Sequence, residues 1–310
     1  MSIARPLLSN EEIQSFLEDT LQINALLSDD ETYVDFLKKC GCNENKVNFL
    51  INKIADATKE LDEYYKNNTY VSDIYRLGKY KKDNDREKLR NELITQFITN
   101  PRLDDDEDIT YKNGGMLPKT PVQSNKKIFF IIGSPASGKS TIANIISDKF
   151  GALILDSDYI KRALPEYKGK INGATLVHEE SKQLLIKIRN MAIGLGFNIV
   201  HPIVGDDYNA FESLANLFAE KEGYDVYIVL TELNRIKATL RALKRFCDTE
   251  RYVPLNQILD DYAHDSIITF YKMIHFHQEY KYVLLNSDVK WPKRYEKILN
   301  LNALDLYDIL

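Results

Sequence analysis

Hydrophobic residues follow one pattern in the first hundred residues and another after residue 126. In the first part they recur at near-helical spacing, most clearly in 11–23, 33–61 and 83–98. Runs rich in valine and tight hairpin signals are scarce there, so strands are not favoured. The pattern predicts an all-α N-terminal domain over residues 1–100, with the last helix ending near Asn100-Pro101.

The second part contains short, continuous apolar runs that are separated by helical patterns. The runs are 127–132, 152–155, 198–200, 226–230 and 282–285. Uninterrupted runs of this length are typical of strands buried on both faces of a parallel sheet. Alternation of strand and helix then predicts an α/β domain over residues 126–310, with helices on both faces of the sheet.

The stretch between these parts, residues 101–125, differs from both. It contains the acidic run Asp104–Asp108, the pair Gly114-Gly115 and, after them, Pro118 and Pro121. Like charges and turn-forming residues bury little apolar surface, so the stretch is predicted to be a linker or an exposed loop. The alternative is that the acidic run takes the place of phosphate in a basic pocket.

The first apolar run leads directly into a phosphate-binding loop. Residues 133–141 fit the pattern G-x-x-x-x-G-K-[ST] and precede a helical pattern: Gly133, Ser134, Pro135, Ala136, Ser137, Gly138, Lys139, Ser140 and Thr141. In such a loop the glycines let the backbone approach phosphate, and the lysine contacts the β- and γ-phosphates. The serine hydroxyl is the expected Mg²⁺ ligand. The motif predicts ATP and Mg²⁺ as cofactors, with Ser140 at the metal, on a sheet of the type found in P-loop kinases. The loop alone leaves open whether the nucleotide is hydrolysed for work, hydrolysed as a switch or used to phosphorylate an acceptor.

Two carboxylates follow the second apolar run. Asp156 and Asp158 come where the strand ends, beside the expected position of the γ-phosphate. A kinase needs a carboxylate there to accept the proton of the attacking hydroxyl, although Asp158 could equally cap the next helix. Arg162, one helical turn further on, could bind substrate phosphate or pair with Asp158.

Four segments, in this order, resemble the zeta toxins, which are P-loop kinases of toxin–antitoxin systems. The segments read GSPASGKST, LILDSDYIKRALPEY, GATLVHEESKQLL and GFNIVHPIVGDD. The resemblance implies phosphorylation, by ATP with Mg²⁺, of the 3′-hydroxyl of the sugar in UDP-N-acetylglucosamine, which blocks cell-wall synthesis. It also implies that Asp158 is the general base and that Lys139 acts in the loop.

The resemblance further implies arginines in a lid and a carboxylate that holds the sugar. For the lid the candidates are Arg245 and Arg251, although Arg235 and Arg241 lie nearby. For the carboxylate that holds the sugar the candidates are two acids of one helix, Glu179 and Glu180. These two acids could instead stabilise the first turn of that helix through its dipole. Asp156 and Arg162, from their position after the second apolar run, are the other candidates for binding the substrate.

One loop departs from the family pattern. Many zeta toxins carry an acid followed by Gly-Thr after the third strand, where this chain has His201-Pro202-Ile203-Val204-Gly205. The loop should line the acceptor pocket, so the change puts the sugar nucleotide in doubt more than the kinase chemistry. Other nucleotides or small-molecule hydroxyls remain alternative acceptors, and a non-catalytic nucleotide-binding switch remains an alternative function.

Zeta toxins are normally held by a helical antitoxin, so an antitoxin is expected as a partner. It could act in trans, or in cis as the N-terminal domain, and self-inhibition in cis is one hypothesis for the extra length. Cleaving off the residues before Lys119 would then raise activity.

Composition narrows the classes of function. The 310 residues carry 41 Lys and Arg against 46 Asp and Glu, a net charge of −5, which argues against a nucleic-acid partner. Three cysteines without zinc spacing favour free thiols in a reducing compartment. No apolar run reaches the length of a signal peptide or a membrane span, so we expect a cytoplasmic protein without a membrane partner.

Overall fold

The computed structural model describes residues 66–168, 172–249, 264–289 and 293–310, with scattered residues between 34 and 64 and between 253 and 262. The helices predicted before residue 66 fall almost entirely outside the described residues. The helix predicted over 83–98 is observed as α1 (Asp83–Thr99), and it ends at Asn100, before Pro101. Among the described helices, none is long and apolar enough to cross a bilayer.

A six-stranded sheet forms the centre of the molecule. Its strands are β1 (Lys127–Ile132), β2 (Leu153–Ile154), β3 (Ile199–Pro202), β4 (Asp225–Glu232), β5 (Lys281–Asn286) and β6 (Glu296–Leu301). Their order across the sheet is β2-β3-β1-β4-β5-β6, and all neighbouring pairs are parallel except β5 and β6. This confirms the predicted α/β fold, and each of the five predicted strands is present.

Helices connect the strands and cover the sheet. They are α2 (Lys139–Phe150), α3 (Ser157–Ala163), α4 (Gly173–Leu176), α5 (His178–Gly194), α6 (Tyr208–Asn216), α7 (Arg235–Thr249), α8 (Asp265–Phe276) and α9 (Leu304–Tyr307). Between them the strand residues are buried on both faces, as in β1, where residues 128–132 are fully enclosed. The continuous apolar run follows from this burial, because neither face of β1 meets water.

The sixth strand was not predicted. β6 pairs antiparallel to β5 at the edge of the sheet, and most of its side chains are only half-buried. An edge strand of this kind needs no continuous apolar run, so Glu296–Leu301 carries a mixed pattern that does not stand out in the sequence.

The stretch 101–125 differs from the solvated linker that its composition predicts. Ile109 and Met116 are fully buried in the same hydrophobic core as the sheet, and the carbonyl of Met116 accepts a hydrogen bond from the amide of Ile154 at 2.9 Å. Leu89, Leu93 and Phe97 of α1 belong to this core as well. The few apolar residues of the stretch are therefore enough to pack it onto the sheet. Two of its charged residues form hydrogen bonds or ion pairs with α3.

Candidate active site

The phosphate-binding loop joins the end of β1 to the start of α2, and its backbone explains both glycines. Gly133 has φ 150° and Gly138 has φ 97°, in the region that L side chains rarely adopt. At Gly133 space is also lacking, because a Cβ atom would lie 2.5 Å from Oγ1 of Thr231. At Gly138 the left-handed backbone alone requires glycine, since nothing lies within 4 Å of the Cβ position.

Hydrogen bonds tie this loop to the two strands beside β1. The hydroxyls of Ser137 and Thr231 lie 2.7 Å apart, which links the loop to β4. The amide of Gly133 donates to the carbonyl of Val204 at 3.1 Å, which links it to the segment after β3. The loop is thus held in shape from both sides.

Lys139, the first residue of α2, folds back over the loop. Its ammonium donates to the carbonyl of Gly133 at 2.6 Å and to the carbonyl of Ser134 at 2.8 Å. The ammonium therefore lies over the turn where the phosphates of a bound nucleotide are expected.

The two carboxylates after β2 have different tasks. Asp156 caps α3, because its Oδ1 accepts from the amide of Asp158 at 2.9 Å. Asp158 lies in the first turn of α3, where Lys161 donates to its Oδ1 at 3.0 Å. Of the two, Asp156 is thus the cap, and the carboxylate of Asp158 is not used for capping.

The loop and these carboxylates line one cavity of about 1120 Å³. Most of the predicted site residues lie on its wall: Pro135, Ala136, Gly138, Lys139, Ser140, Thr141, Asp156, Asp158 and Arg245. The segment after β3 was expected to line an acceptor pocket, and residues 202–207 also lie on the wall of this cavity. The structure therefore brings the phosphate loop, the candidate base and the expected acceptor loop to a single cleft.

Three further basic side chains line this cavity, none of which was predicted from the sequence to be a site residue. Lys161 comes from α3, while His178 and Lys182 come from the first turns of α5. His178 and Lys182 are four residues apart and so share a face of the helix, a spacing that the sequence does show. Desolvation in the cleft, together with the charges of Lys161 and Lys182, lowers the pKa of His178 to about 4. At neutral pH the positive charge of this wall therefore comes from the two lysines.

Arg162 is not placed where it was expected. Its guanidinium is buried outside the cavity and makes a two-point ion pair with Glu107, with Nη2 to Oε1 at 2.6 Å and Nε to Oε2 at 3.1 Å. Arg162 therefore binds the acidic run, and Lys161, one residue earlier, pairs with Asp158. The pairing of Glu107 with Arg162 lies outside the cavity, so the alternative that the acidic run takes the place of phosphate in a basic pocket stays a prediction.

Glu179 and Glu180 also lie outside the cavity. Glu179 accepts a hydrogen bond from Gln183 on the same helix at 2.7 Å. Glu180 is fully buried on the opposite side of α5, where Arg86, Arg90 and Thr69 bind its carboxylate. Neither acid is positioned to hold an acceptor in this cleft.

The candidate lid arginines differ in whether they line the cavity. Arg245 and Arg241, both on α7, line the cavity, and Arg241 also donates to the carbonyl of Ser287 at 3.1 Å. Burial lowers the pKa of Arg245, and the charge of Glu107 opposes that effect. Arg235 is buried, 4% exposed, and does not line the cavity. Arg251 lies outside the described residues.

A second cavity of about 640 Å³ lies on the other side of the phosphate loop. Its wall includes Ser137 and Thr141 of the loop, Arg241 of α7, Ser287 after β5 and Tyr295 before β6. The two cavities share Gly138, Thr141 and Arg241, so a ligand that crosses the loop can extend into both.

The oxygen atoms around Ser140 suit a magnesium ion that is shared with a nucleotide. Ser140, Asp156 and Asp158 line the same cavity and offer a hydroxyl and two carboxylates. Mg²⁺ prefers such ligands and is commonly bound by one or two carboxylates together with substrate phosphates. Within the described residues no group of three or more His, Cys, Asp or Glu side chains could hold a metal ion without such phosphates.

Three solved structures to which this chain is similar come from one toxin–antitoxin system and from the AvrRxo1-ORF1:AvrRxo1-ORF2 complex. One, from the PezAT chromosomal toxin–antitoxin system of the human pathogen Streptococcus pneumoniae, is 16% identical, with a TM-score of 0.45, over 73% of this chain and 84% of that one. The AvrRxo1-ORF1:AvrRxo1-ORF2 complex with sulphate ions is 17% identical, with a TM-score of 0.48, over 72% and 71%. The same complex with ATP is 16% identical, with a TM-score of 0.47, over 73% and 71%.

Identities at this level are no guide to substrate or partner. No curated protein matches the sequence.

The family model described as zeta toxin matches residues 115–275. The matched region contains the phosphate loop, the carboxylates after β2, the basic wall of the cavity and α7. It also begins within the stretch 101–125, just before the buried Met116. Because the match covers more than half of the chain, the protein belongs to the zeta toxin family.

Proposed function

We propose that the protein is an ATP-dependent kinase that phosphorylates a hydroxyl of an anionic small molecule. The acceptor that the family implies is UDP-N-acetylglucosamine, phosphorylated on the 3′-hydroxyl of its sugar. One observation carries the proposal: Lys139 of the phosphate loop and Asp158 line the same cavity, whose wall also includes the segment after β3.

Phosphoryl transfer depends on positioning and on neutralising charge more than on covalent chemistry. In our proposal the loop amides and Lys139 hold the β- and γ-phosphates, once the ammonium leaves the carbonyls of Gly133 and Ser134. Asp158 orients the attacking hydroxyl and accepts its proton. Asp156 fixes the start of α3, which sets the position of Asp158. Ser140 would hold Mg²⁺, which when bound would supply charge neutralisation at the phosphates.

Among the described residues, Arg245 and Arg241 are the arginines that line the cavity. Their positive charges can stabilise the phosphoryl group during its transfer. Both extend from α7 towards the cavity, and we assign the larger role to Arg245, whose partly buried position strengthens its field. Arg251 remains a second candidate from the sequence. The second cavity, with Tyr295 on its wall, is the proposed position of the nucleoside of ATP.

The acceptor side of the cavity favours a negatively charged molecule. Lys161 and Lys182 face the same space from two helices, while Phe211 and Leu214 of α6 provide apolar surface. A phosphorylated sugar or nucleotide offers charge for the lysines and a ring for the apolar side chains. A UDP-sugar has both features.

The segment after β3 favours a second candidate, another phosphorylated compound with a free hydroxyl. Pro202, Ile203 and Val204 line the cavity where many relatives carry an acid and a threonine. Fewer polar side chains face the acceptor here, so specificity for one particular sugar has less support than the kinase reaction itself. The same change leaves the phosphate loop and Asp158 untouched.

An antitoxin that acts in trans is part of the proposal. The cavity wall includes no residue from 66–100, the described portion of the N-terminal part. A separate protein that covers the nucleotide site fits this arrangement better than obstruction by these residues.

ADP formation tests the proposal. The protein is incubated with ATP and Mg²⁺ alone, with UDP-N-acetylglucosamine, and with a panel of phosphorylated sugars and nucleotides. ADP that appears only with an acceptor, and that is lost in Asp158→Ala, supports a kinase. ADP formed equally without any acceptor identifies a nucleotide hydrolase and overturns the proposal, whereas nucleotide binding without turnover identifies a switch.

A further inference from the structure

Arg86, in the first half of α1, is fully buried between two carboxylates of the kinase fold. It donates to Glu166 from Nη1 at 2.8 Å and from Nη2 at 3.0 Å. It also donates to Glu180 from Nε at 2.8 Å and from Nη2 at 2.5 Å. The side chains of Arg86 and Glu180 are 0% exposed and that of Glu166 is 1% exposed.

The surrounding residues balance and complete this cluster. Arg90 donates to Oε1 of Glu180 at 2.7 Å, so two arginines face two carboxylates. Thr69 donates its hydroxyl to Oε2 of Glu180 at 2.6 Å, and the amide of Leu77 donates to Oε1 of Glu166 at 2.9 Å. A buried charge is tolerated only when it is paired and hydrogen-bonded, and here each charge is.

The cluster joins the segment 66–90 to the part of the fold that forms the acceptor wall. Besides the ion pairs, the amide of Thr69 donates to the carbonyl of Leu176 at the end of α4. Gly173, at the start of α4, packs so closely on the segment of Glu166 that a Cβ atom would lie 2.0 Å from the carbonyl of Tyr167. The segment around Glu166, α4 and the start of α5 thus form one packed unit, with Arg86 at its centre.

Helix geometry connects this unit to the cavity. Glu180 is two residues from His178 and two from Lys182, and at 100° per residue it points away from the face that they share. Ala174 and Thr175 of α4, with His178 and Lys182 of α5, line the cavity. Holding Glu180 therefore fixes the rotation of α5, and with it the direction of Lys182.

We infer that Arg86 is a positioning residue for the acceptor, and that residues 66–90 support the acceptor half of the active site instead of obstructing it. The inference rests on the proposed kinase function. Arg86 touches neither nucleotide nor acceptor. It sets the orientation of the wall that binds the acceptor, and leaves the phosphate loop, on the other side of the cavity, unaffected.

The test compares two variants with a control. Arg86→Lys keeps the charge, but an ammonium cannot bind both carboxylates at two points each. Arg86→Met combined with Glu166→Gln removes one charge of each sign and leaves Arg90 paired with Glu180, so that a folded reference exists if the first variant is unstable. Asp83→Asn is the control, because it breaks an ion pair with Arg76 in the same segment at a side chain that is 90% exposed.

Steady-state kinetics with UDP-N-acetylglucosamine and ATP provide the first readout, at a temperature where each variant is folded. Both Arg86 variants should raise the KM of the acceptor about tenfold and change the KM of ATP less than about twofold, because only the acceptor wall moves. Asp83→Asn should match the wild type. An unchanged KM for the acceptor, or an equal rise in both KM values, overturns the inference.

Hydrogen exchange provides a second readout that needs no acceptor. Backbone amides of 173–182 should exchange faster in both Arg86 variants than in the wild type, while those of α2 should stay unchanged. Equal exchange in 173–182 overturns the inference. If the wild type does not phosphorylate UDP-N-acetylglucosamine, that assignment of the acceptor fails, and the exchange result still decides the role of Arg86.

Discussion

Lys139 and Asp158 reach the cavity from the ends of two different strands of the parallel sheet. Lys139 follows β1 through the phosphate loop, and Asp158 follows β2 in the first turn of α3. In the sheet, β3 lies between these two strands, so its following segment completes the wall between the phosphate site and the base. In the proposed reaction the two side chains act on opposite partners of the transfer, Lys139 on the phosphate and Asp158 on the hydroxyl.

Substituting these two residues should have different effects. Asp158→Asn should lower kcat about 100-fold or more and leave nucleotide affinity near the wild-type value, because only proton acceptance is lost. Lys139→Ala should weaken ATP binding and also abolish turnover, since a charge at the phosphates is lost. Lys149→Ala, at the exposed far end of α2, is the matched control. Kinetics and nucleotide titration measure both effects, and full turnover by Asp158→Asn would refute its role as the base.

For individual residues, the sequence correctly identifies those that belong to a local motif. It misplaces side chains whose direction depends on the residue at which a helix begins. The phosphate loop is a local motif, so its position and its glycines follow from the pattern alone. Lys161 and Arg162 are adjacent, and only the observed start of α3 at Ser157 shows that Lys161 faces Asp158. Glu180 could not be placed either, because its partners Arg86 and Thr69 lie about a hundred residues away in the chain.

The acidic run of 104–108 behaves as a structural element. Asp105 caps the short helix Asp106–Asp108, Asp106 accepts the hydroxyl of Tyr159 at 2.7 Å, and Glu107 pairs with Arg162. Burial raises the pKa of Asp106, although the hydrogen bond from Tyr159 and the charge of Arg162 oppose this. Two of its acids therefore fix the run against α3, the helix that carries Asp158.

Removing the charge of Glu107 should loosen this attachment. Glu107→Gln loses a two-point ion pair with a buried arginine, and because Glu107 is 38% exposed we expect a loss of about 1 kcal/mol in the free energy of unfolding. Asp108→Asn removes an exposed charge from the same run and should change stability by less than about 0.5 kcal/mol. Urea denaturation of both variants measures the difference, and equal effects would show that the pairing with Arg162 contributes nothing specific.

The ion cluster around Glu180 should make stability depend on pH in a definite direction. Burial alone would raise the pKa of Glu180, but hydrogen bonds from Arg86 and Thr69 and the charges of Arg86 and Arg90 outweigh it, and the pKa is lowered from its ordinary 4.5. A carboxylate with a lowered pKa stabilises the folded state above its unfolded pKa, and the contribution is lost as the pH falls through the folded value.

Glu180→Gln tests this dependence. At neutral pH the variant should be about 3 kcal/mol less stable than the wild type, since buried arginines lose a charged partner. The difference should shrink as the pH falls from 4.5, where the carboxyl of the unfolded chain takes up its proton, through the lowered pKa of Glu180 in the folded protein. Denaturation of both proteins across this pH range gives the two curves. A gap that stays constant with pH would show that the charge of Glu180 does not stabilise the fold.

One sheet lies at the centre of the described structure, and apolar residues of α1 belong to its core. The strand–helix alternation correctly predicts the five parallel strands of the sheet, because a strand buried on both faces must be apolar throughout. The domain division at 101–125 stays a prediction, and the packing of Ile109, Met116 and α1 on the sheet shows why composition is a poor guide there. A few apolar residues in a charged stretch can decide where it lies.

Truncating the N-terminal residues distinguishes whether they support the kinase fold or inhibit its activity. Removing the residues before Lys119 exposes Glu166 and Glu180 without their arginines and removes Met116 from the core. We expect a protein that is less stable and has little activity, measured by its melting temperature and its kinase rate. The hypothesis of self-inhibition in cis predicts the opposite, a rise in rate, and a stable, more active fragment would establish it.

The central claim is that ATP and an acceptor hydroxyl meet between the phosphate loop and Asp158. Mass spectrometry of UDP-N-acetylglucosamine after incubation with the full-length protein, ATP and Mg²⁺ tests it most directly, with Asp158→Asn in parallel. We predict that the wild type adds the mass of one phosphoryl group to the sugar nucleotide and that the variant does not. An unmodified sugar nucleotide alongside complete conversion of ATP to ADP and free phosphate would contradict the account.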